Sequence, residues 1–410
     1  MQFILATIVI DAMGFGIVIP VFPNLLRLIG HFDTSHATLF GGYLSELYAV
    51  FQFIFGIVMG NLSDRFGRRP VILGAMAGFA INFLLMARAR NLVWLFVGQA
   101  SAGIFGGTQG PAQSALADIT EDTDRARVFG YVGAAFGIGF VIGPALGGVL
   151  GALGPRIPFY ASSGLCTLNF LYGLLFFPET LAQKNRRRFD WRRANPLGAL
   201  LNARHLQGVA MLSLVLLLWQ IASLVYPMTW TYYLISAYHV SSAVIGLSFA
   251  GFGSAFAMVQ IFLTGKVVRR YGERDTAKIG LACAIWTFAV FSIAPFNPWL
   301  LLLALPTMPI SFTQAALSAM FSRRATPATQ GEMQGFTASV MAVGSIIAPL
   351  IFNPVLSHFT DSRTPVHLPG ASFMAATLFA LAALGTLMLT PRAQDNEAEE
   401  SAVAATAGSG

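Results

Sequence analysis

Charged side chains are scarce in this 410-residue sequence. Asp, Glu, Lys and Arg together make up 10%, against roughly a quarter in soluble domains. So few charges cannot cover a water-facing surface, which excludes an ordinary soluble enzyme or binding domain. Cysteine is almost missing. Cys166 and Cys283 both lie inside apolar runs, so there is no disulfide framework and no metal-ligand spacing. The first apolar segment lacks a basic leader and carries Asp11 in its middle, so it reads as a resident helix rather than a cleaved signal peptide. No nucleophile elbow, phosphate loop or large extramembrane domain occurs. A membrane enzyme or a receptor is therefore disfavoured, and no cofactor is implied.

What is abundant is apolar length. Hydrophobic residues reach 55%, with 35 Phe and 41 Gly, and the mean hydropathy is +0.66. Runs of about twenty apolar residues suit a bilayer. They fall at 3–27, 38–61, 70–88, 92–117, 126–151, 158–178, 207–234, 242–265, 276–295, 298–321, 332–354 and 370–390. These predict an all-α membrane protein with twelve transmembrane helices. Basic residues concentrate in alternate loops, at Arg65, Arg68, Arg69, Arg125 and Arg127, through the 184–204 stretch, then at Lys266 to Lys278, Arg323, Arg324 and Arg392. The opposite loops hold only Arg27, Arg88, Arg90, Arg156 and Arg363. By the positive-inside rule the first set and both termini are cytoplasmic, in a bacterial inner membrane. This asymmetry also accounts for the net charge of +7 without a nucleic-acid partner.

The polar stretch 179–206 reads as a cytoplasmic linker between two bundles, 1–178 and 207–390, and 391–410 as a disordered tail. The linker's RRRFDWRR run is a topology determinant that also suits anionic membrane lipid. Shifting the chain by 205 positions pairs Gly60 with Gly265, Arg65 with Arg270, Gly67 with Gly272 and Arg69 with Arg274. The same shift pairs Gly41 with Gly246, Gly130 with Gly335, Gly139 with Gly344, and Pro144 with Pro349. Such a repeat predicts two pseudo-symmetric six-helix bundles with a binding site near the midplane and rocking of one half against the other.

Local chemistry follows from the same residues. In GNLSDRFGRRP (60–70), Gly60 and Gly67 permit a tight turn between antiparallel helices, and Arg68 or Arg69 can pair with Asp118. In GIGFVIGPALGG (137–148), Gly139, Gly143 and Gly147 recur every four residues, line one face and allow close helix contact, with Pro144 bending it. The first of these resembles the signature loop of the major facilitator superfamily, and the second the antiporter motif of its drug/proton antiporters. VIDAMGFGIVIPVFPNLLR (9–27) and ADITEDTDRARVFG (117–130) are similar to the tetracycline-antiporter branch. The resemblance implies the twelve-helix fold and secondary active efflux of a small amphipathic molecule, by proton antiport with alternating access and as a monomer. It also implies a latch of Gly60, Asp64, Arg65, Gly67, Arg68, Arg69 and Asp118, in which Asp64 caps the eleventh helix near Gln330. The glycine motif then seals the two halves against leakage.

Ionisable groups at mid-membrane depth are expensive and default to roles such as proton relays. Asp11 lies about nine residues, or ~13 Å, into the first helix. Glu46 is similarly deep in the second. Asp11 matches an acid of the tetracycline branch and Glu46 has no counterpart there. Two positions depart from that branch, with Asn82 replacing an acid of the third helix and Gln99 an arginine of the fourth. The departure weakens tetracycline as substrate and leaves open an endogenous product such as a siderophore, or a nutrient importer or facilitator. Asn82, Gln99, Gln109, Gln220, Trp230, Tyr233, Gln260 and Gln314 are candidates for a neutral, aromatic-lined substrate pocket.

Overall fold

The computed structural model describes residues 2–32, 34–106, 109–120, 125–186, 209–296, 309–324, 330–361 and 363–390. Among them there is no strand. The first half holds α1 (Gln2–Val18), α2 (Phe22–Gly30), α3 (Thr34–Phe66), α4 (Arg68–Ala87), α5 (Leu92–Gly106), α6 (Gln109–Asp118), α7 (Arg125–Leu153) and α8 (Ile157–Phe176). The second holds α9 (Val209–Ser223), α10 (Val225–Tyr238), α11 (Ser242–Val259), α12 (Gly265–Ile293), α13 (Phe312–Arg323), α14 (Gln330–Thr360) and α15 (Ala371–Leu389). A π-helical turn, Gln260–Thr264, joins α11 to α12.

Seven helical stretches among the described residues are long and apolar enough to cross a membrane, or eight if α1 and α2, bent by 45°, form one span. The bend has a local cause, because Pro20 and Pro23 deny the helix backbone donors. The expected spans at 92–117 and 298–321, the linker from 187 and the tail from 391 fall wholly or partly outside the described residues. Large apolar side chains such as Leu175, Leu153 and Leu389 remain outward-facing. In water that would be ruinous; against hydrocarbon it is the expected surface.

The repeat is visible in the backbone. Gly67 (φ 108°) separates α3 from α4, and Gly272 (φ 77°) breaks α12. Each half has its own core. One cluster gathers Leu212, Trp219, Tyr233, Phe288, Phe321 and Phe373, and others lie wholly or largely in the first half. Between halves, α7 packs on α11, and α3 packs on α14 and α10.

Among the described residues those contacts gather at one end. A Cβ placed on Gly42 of α3 would strike Asn353 of α14, and one on Gly41 would strike the Tyr232 hydroxyl. Gly60 lies on the same face of α3 as Gly42, about five turns further on, and a Cβ placed there would meet no other element within 4 Å among the described residues. Along α7, Gly148 abuts Ser242, Ala243 and Gly246, and Val141 lies 3.0 Å from a Cβ at Gly253. A Cβ on Gly137, about three turns before Gly148 on that face, would meet no other element within 4 Å among the described residues. The halves touch at the Gly42/Gly148 end and splay apart toward the Lys- and Arg-rich end.

Candidate functional site

Helical geometry brings the signature loop into one cluster. Gly67 halts α3, so Arg68 begins α4 and points back toward α6. Its Nε lies 3.1 Å from Asp118 Oδ2, and its Nη1 lies 2.6 Å from Asp64 and donates to Ser63 at 3.1 Å. The Arg68 side chain is 10% exposed, so it is paired on several sides, as a buried cation must be. The structure therefore selects Arg68 as the partner of Asp118. Arg69 instead donates to the Leu174 carbonyl at 2.7 Å, and Arg65 lies over the Phe66 ring at 5.0 Å. The expected approach of Asp64 to Gln330 falls on a side chain outside the described residues.

Sequence reasoning missed Glu179. Its Oε1 accepts the Arg68 backbone N–H at 2.9 Å and that of Leu181 at 3.0 Å, and a Cβ at Gly67 would strike it. The available signal was an isolated acid opening an arginine-rich linker. The second half carries its own cluster: Arg323 Nε lies 2.6 Å from Glu273 Oε1, and Arg274 donates to the Leu387 and Met388 carbonyls. Burial, reinforced by Arg274 and opposed by Glu273, lowers the pKa of Arg324.

The glycine motif corrects an expectation. Gly139, Gly143 and Gly147 face α1, where added Cβ atoms would meet Val9 and Ala12, Met13 and Gly16, and Ile17. They lock two helices of one half and do not seal the halves together. The contact across halves belongs to the neighbouring face of α7, where the Pro144 carbonyl and Gly148 abut Gly246. Asn24 Nδ2 adds a 2.9 Å hydrogen bond to Ser242 there. A helix turns about 100° per residue, so the i, i+4 spacing identified a close-packed face without saying which neighbour it packs on.

The two membrane carboxylates occupy different settings. Asp11 of α1 accepts from Asn169 Nδ2 of α8 at 3.2 Å, and Asn169 Oδ1 accepts from Thr7 at 3.3 Å. All three belong to the first half. Glu46 lies about one turn beyond Gly42 on α3, the glycine whose Cβ would strike Asn353 of α14. Its Oε2 is enclosed and has no hydrogen-bond partner among the described residues.

The neutral candidates separate into groups. Asn82 is buried between α4 and α5, accepting from Ser101 at 2.8 Å, and belongs to packing within one half. Gln99 is half-buried on α5, and the Gln109 side chain lies outside the described residues. Gln220 donates to Ser345 at 3.3 Å, and Gln314 accepts from Trp219 at 3.2 Å, so α9, α13 and α14 share a polar seam. Trp230 donates to Ser248 at 2.8 Å and packs at a tilt against Tyr226 with ring centroids 4.9 Å apart, and Tyr226 itself stacks on Phe252 at 4.2 Å. Tyr233 is buried and donates to the Phe291 carbonyl, and Gln260 accepts from Thr264 within the π turn. Neither is arranged as an open ligand contact.

A family model described as Major Facilitator Superfamily matches residues 4–349. The chain belongs to that superfamily. Its relatives include the class C tetracycline resistance protein of Escherichia coli, 38% identical over 358 residues, covering 86% of this chain and 88% of the relative. The class B protein of Escherichia coli is 31% identical and covers 96% of this chain and 97% of its own length. Among solved structures, nucleoside transporter NupG superposes with a TM-score of 0.76 at 14% identity, covering 95% of this chain and 98% of that one. The human organic anion transporter MFSD10 gives 0.70 at 21% identity, covering 94% and 98%. These neighbours show the fold, and the superfamily makes the chain a multi-pass membrane transporter of small molecules rather than an enzyme.

Proposed function

We propose that the chain exports a small amphipathic drug-like molecule from the bacterial cytoplasm in exchange for protons, by alternating access and as a single chain in the inner membrane. The observation that carries this reading is the one-ended contact between halves, closed at Gly42–Asn353 and Gly148–Gly246 and parted at Gly60 and Gly137. A pathway open at the Lys- and Arg-rich end is an inward-facing state under the positive-inside rule, with both termini cytoplasmic. The curated relatives carry tetracycline resistance in their names, which makes tetracycline the first compound to test. Asn82 and Gln99 remain a reason to test other amphipathic compounds and endogenous metabolites such as siderophores beside it. The polar seam of Gln220 and Gln314 and the Tyr226–Trp230 pair supply neutral hydrogen bonding and aromatic surface. Asp11, and second Glu46, exchange the proton as water reaches them. Arg68, held by Asp64, Asp118 and Glu179, serves the latch.

The test is purified protein in vesicles carrying an imposed pH gradient, with tetracycline flux and proton flux recorded together. Uphill tetracycline movement with opposite proton movement is expected. Downhill movement alone, indifferent to the gradient, overturns antiport in favour of a facilitator.

A further inference from the structure

A shift of 205 residues in the sequence aligns the two ion-pair clusters with their signs reversed. Asp64 corresponds to Arg269, Arg68 to Glu273, and Asp118 to Arg323. The Arg68–Asp118 pair of the first half and the Arg323–Glu273 pair of the second are the same contact with acid and base exchanged. The spacers Gly60/Gly265 and Gly67/Gly272 are kept. One centre is an arginine whose guanidinium meets Asp64 and Asp118 and whose backbone N–H meets Glu179; the other is a glutamate beside Arg323, with Arg274 and Arg324 close to it.

Two-fold symmetry gives this inversion a consequence. Where halves meet about a two-fold axis, a contact from position p to position q is accompanied by one from q to p. If the positions of Asp64 and Asp118 met across the axis in a repeat with conserved signs, acid would face acid twice. With inverted signs, Asp64 meets Arg323 and Arg269 meets Asp118, and both encounters attract. The chain places these groups at matching heights. From Gly42, which abuts Asn353, Asp64 lies about 33 Å along α3, and Gln330 about 35 Å back along the antiparallel α14. Arg323 ends α13 just before that helix begins. Its side chain is 77% exposed and that of Asp64 is 45% exposed, so each can take a further partner.

We propose that Arg323 and Asp64 form an ion pair across the halves when the Lys- and Arg-rich end closes, Arg323 leaving Glu273 for Asp64, with Arg269 and Asp118 as its symmetry mate. This rests on the alternating-access reading and adds a residue-level contact to it. The second-half loop is then an electrostatic counterpart of the first rather than a decayed copy.

The test is a double-mutant cycle in the full chain with both native cysteines replaced by Ala. The reporter is labelling of Gly137→Cys by a membrane-impermeant maleimide from the Lys- and Arg-rich side. Asp64→Asn and Arg323→Gln should each raise the labelling rate about two- to fivefold, the scale of a partly exposed pair. Together they should raise it no further than the larger single effect, because they remove one shared contact. Multiplying effects, or no effect of either single change, overturns the pair. As a second measurement, Asp64→Cys with Arg323→Cys should cross-link under mild oxidation, and reactive thiols that never cross-link also overturn it. A failure of alternating access looks different: Ser242→Cys at the far end would then label in step with Gly137→Cys rather than in opposition. That result removes the transport cycle and this pair with it, whereas multiplying effects remove the pair alone.

Discussion

Gly67 and Gly272 stand one repeat apart, and both adopt a left-handed backbone that breaks a helix at the Lys- and Arg-rich end. Their surroundings differ. A Cβ at Gly67 would strike the Glu179 carboxylate, whereas one at Gly272 meets nothing within 4 Å. Gly272→Ala should therefore cost only backbone strain, about 1–3 kcal/mol. Gly67→Ala adds displacement of Glu179 from the Arg68 amide and should cost more. Thermal unfolding of the two purified variants in one detergent decides it, and a larger loss for Gly272→Ala would contradict the packing argument.

Gly147 and Gly148 are adjacent yet should fail in different ways. A Cβ at Gly147 presses on the Ile17 backbone within one half, so Gly147→Ala should lower the melting temperature through overpacking worth about 1–3 kcal/mol. A Cβ at Gly148 presses on Ser242 and Gly246 of the other half. Halves that rock can relieve that clash by parting. Gly148→Ala should therefore leave stability nearer the parent and raise labelling of Ser242→Cys from the far side. Equal melting losses with unchanged labelling would contradict the division of faces.

The fold was legible because a membrane chain advertises itself. Apolar runs, alternating basic loops and the glycine offset all survive without knowledge of contacts, and the superfamily match agrees with the all-α membrane fold that the apolar runs predict. The site was less legible, for a geometric reason. Sequence spacing fixes which residues share a helix face but not which neighbour that face meets. Thus Gly139, Gly143 and Gly147 were readable as a close-packed stripe, while their partner α1 was not. Asn82 and Gln220 look alike as lone polar residues in apolar helices. One is consumed by Ser101 within its bundle and the other joins a seam spanning α9 and α14. Glu179 went unread because its role lies in accepting a backbone N–H more than a hundred residues away.

That difference predicts separable phenotypes. Gln220→Ala and Gln314→Ala should weaken tetracycline binding about tenfold between them, roughly one neutral hydrogen bond each, and Gln314→Ala should also cost about 1–3 kcal/mol of stability by taking the acceptor from the buried Trp219 N–H. Asn82→Ala should leave binding intact but remove one of two acceptors of the Ser101 hydroxyl, which keeps the Gly98 carbonyl at 2.9 Å, costing about 1 kcal/mol. Ligand-induced fluorescence change and thermal unfolding on the same samples separate the outcomes. Loss of binding in Asn82→Ala at unchanged stability would place Asn82 in the pocket after all.

Energy coupling offers the sharpest contrast, between Asp11 and Glu46. Asp11, Asn169 and Thr7 all travel with the first half, so rocking leaves their hydrogen bonds whole and changes only the water that can reach them. Asp11→Asn keeps size and the ability to accept from Asn169 while removing the exchangeable carboxyl proton. Uphill tetracycline transport should then fail, with binding and downhill exchange preserved. Glu46 sits about one turn from the Gly42–Asn353 contact of α3 with α14, with one oxygen enclosed and unpartnered among the described residues. An ionised carboxylate there is disfavoured while the interface is shut and tolerated once it opens to water. Glu46→Gln should therefore slow the opening of that end as well as reduce coupling, visible as altered Ser242→Cys labelling that Asp11→Asn does not show. If both variants transport uphill as the parent does, from mildly acidic to mildly alkaline pH, neither residue carries the proton. The gradient would then have to couple through another ion or not at all.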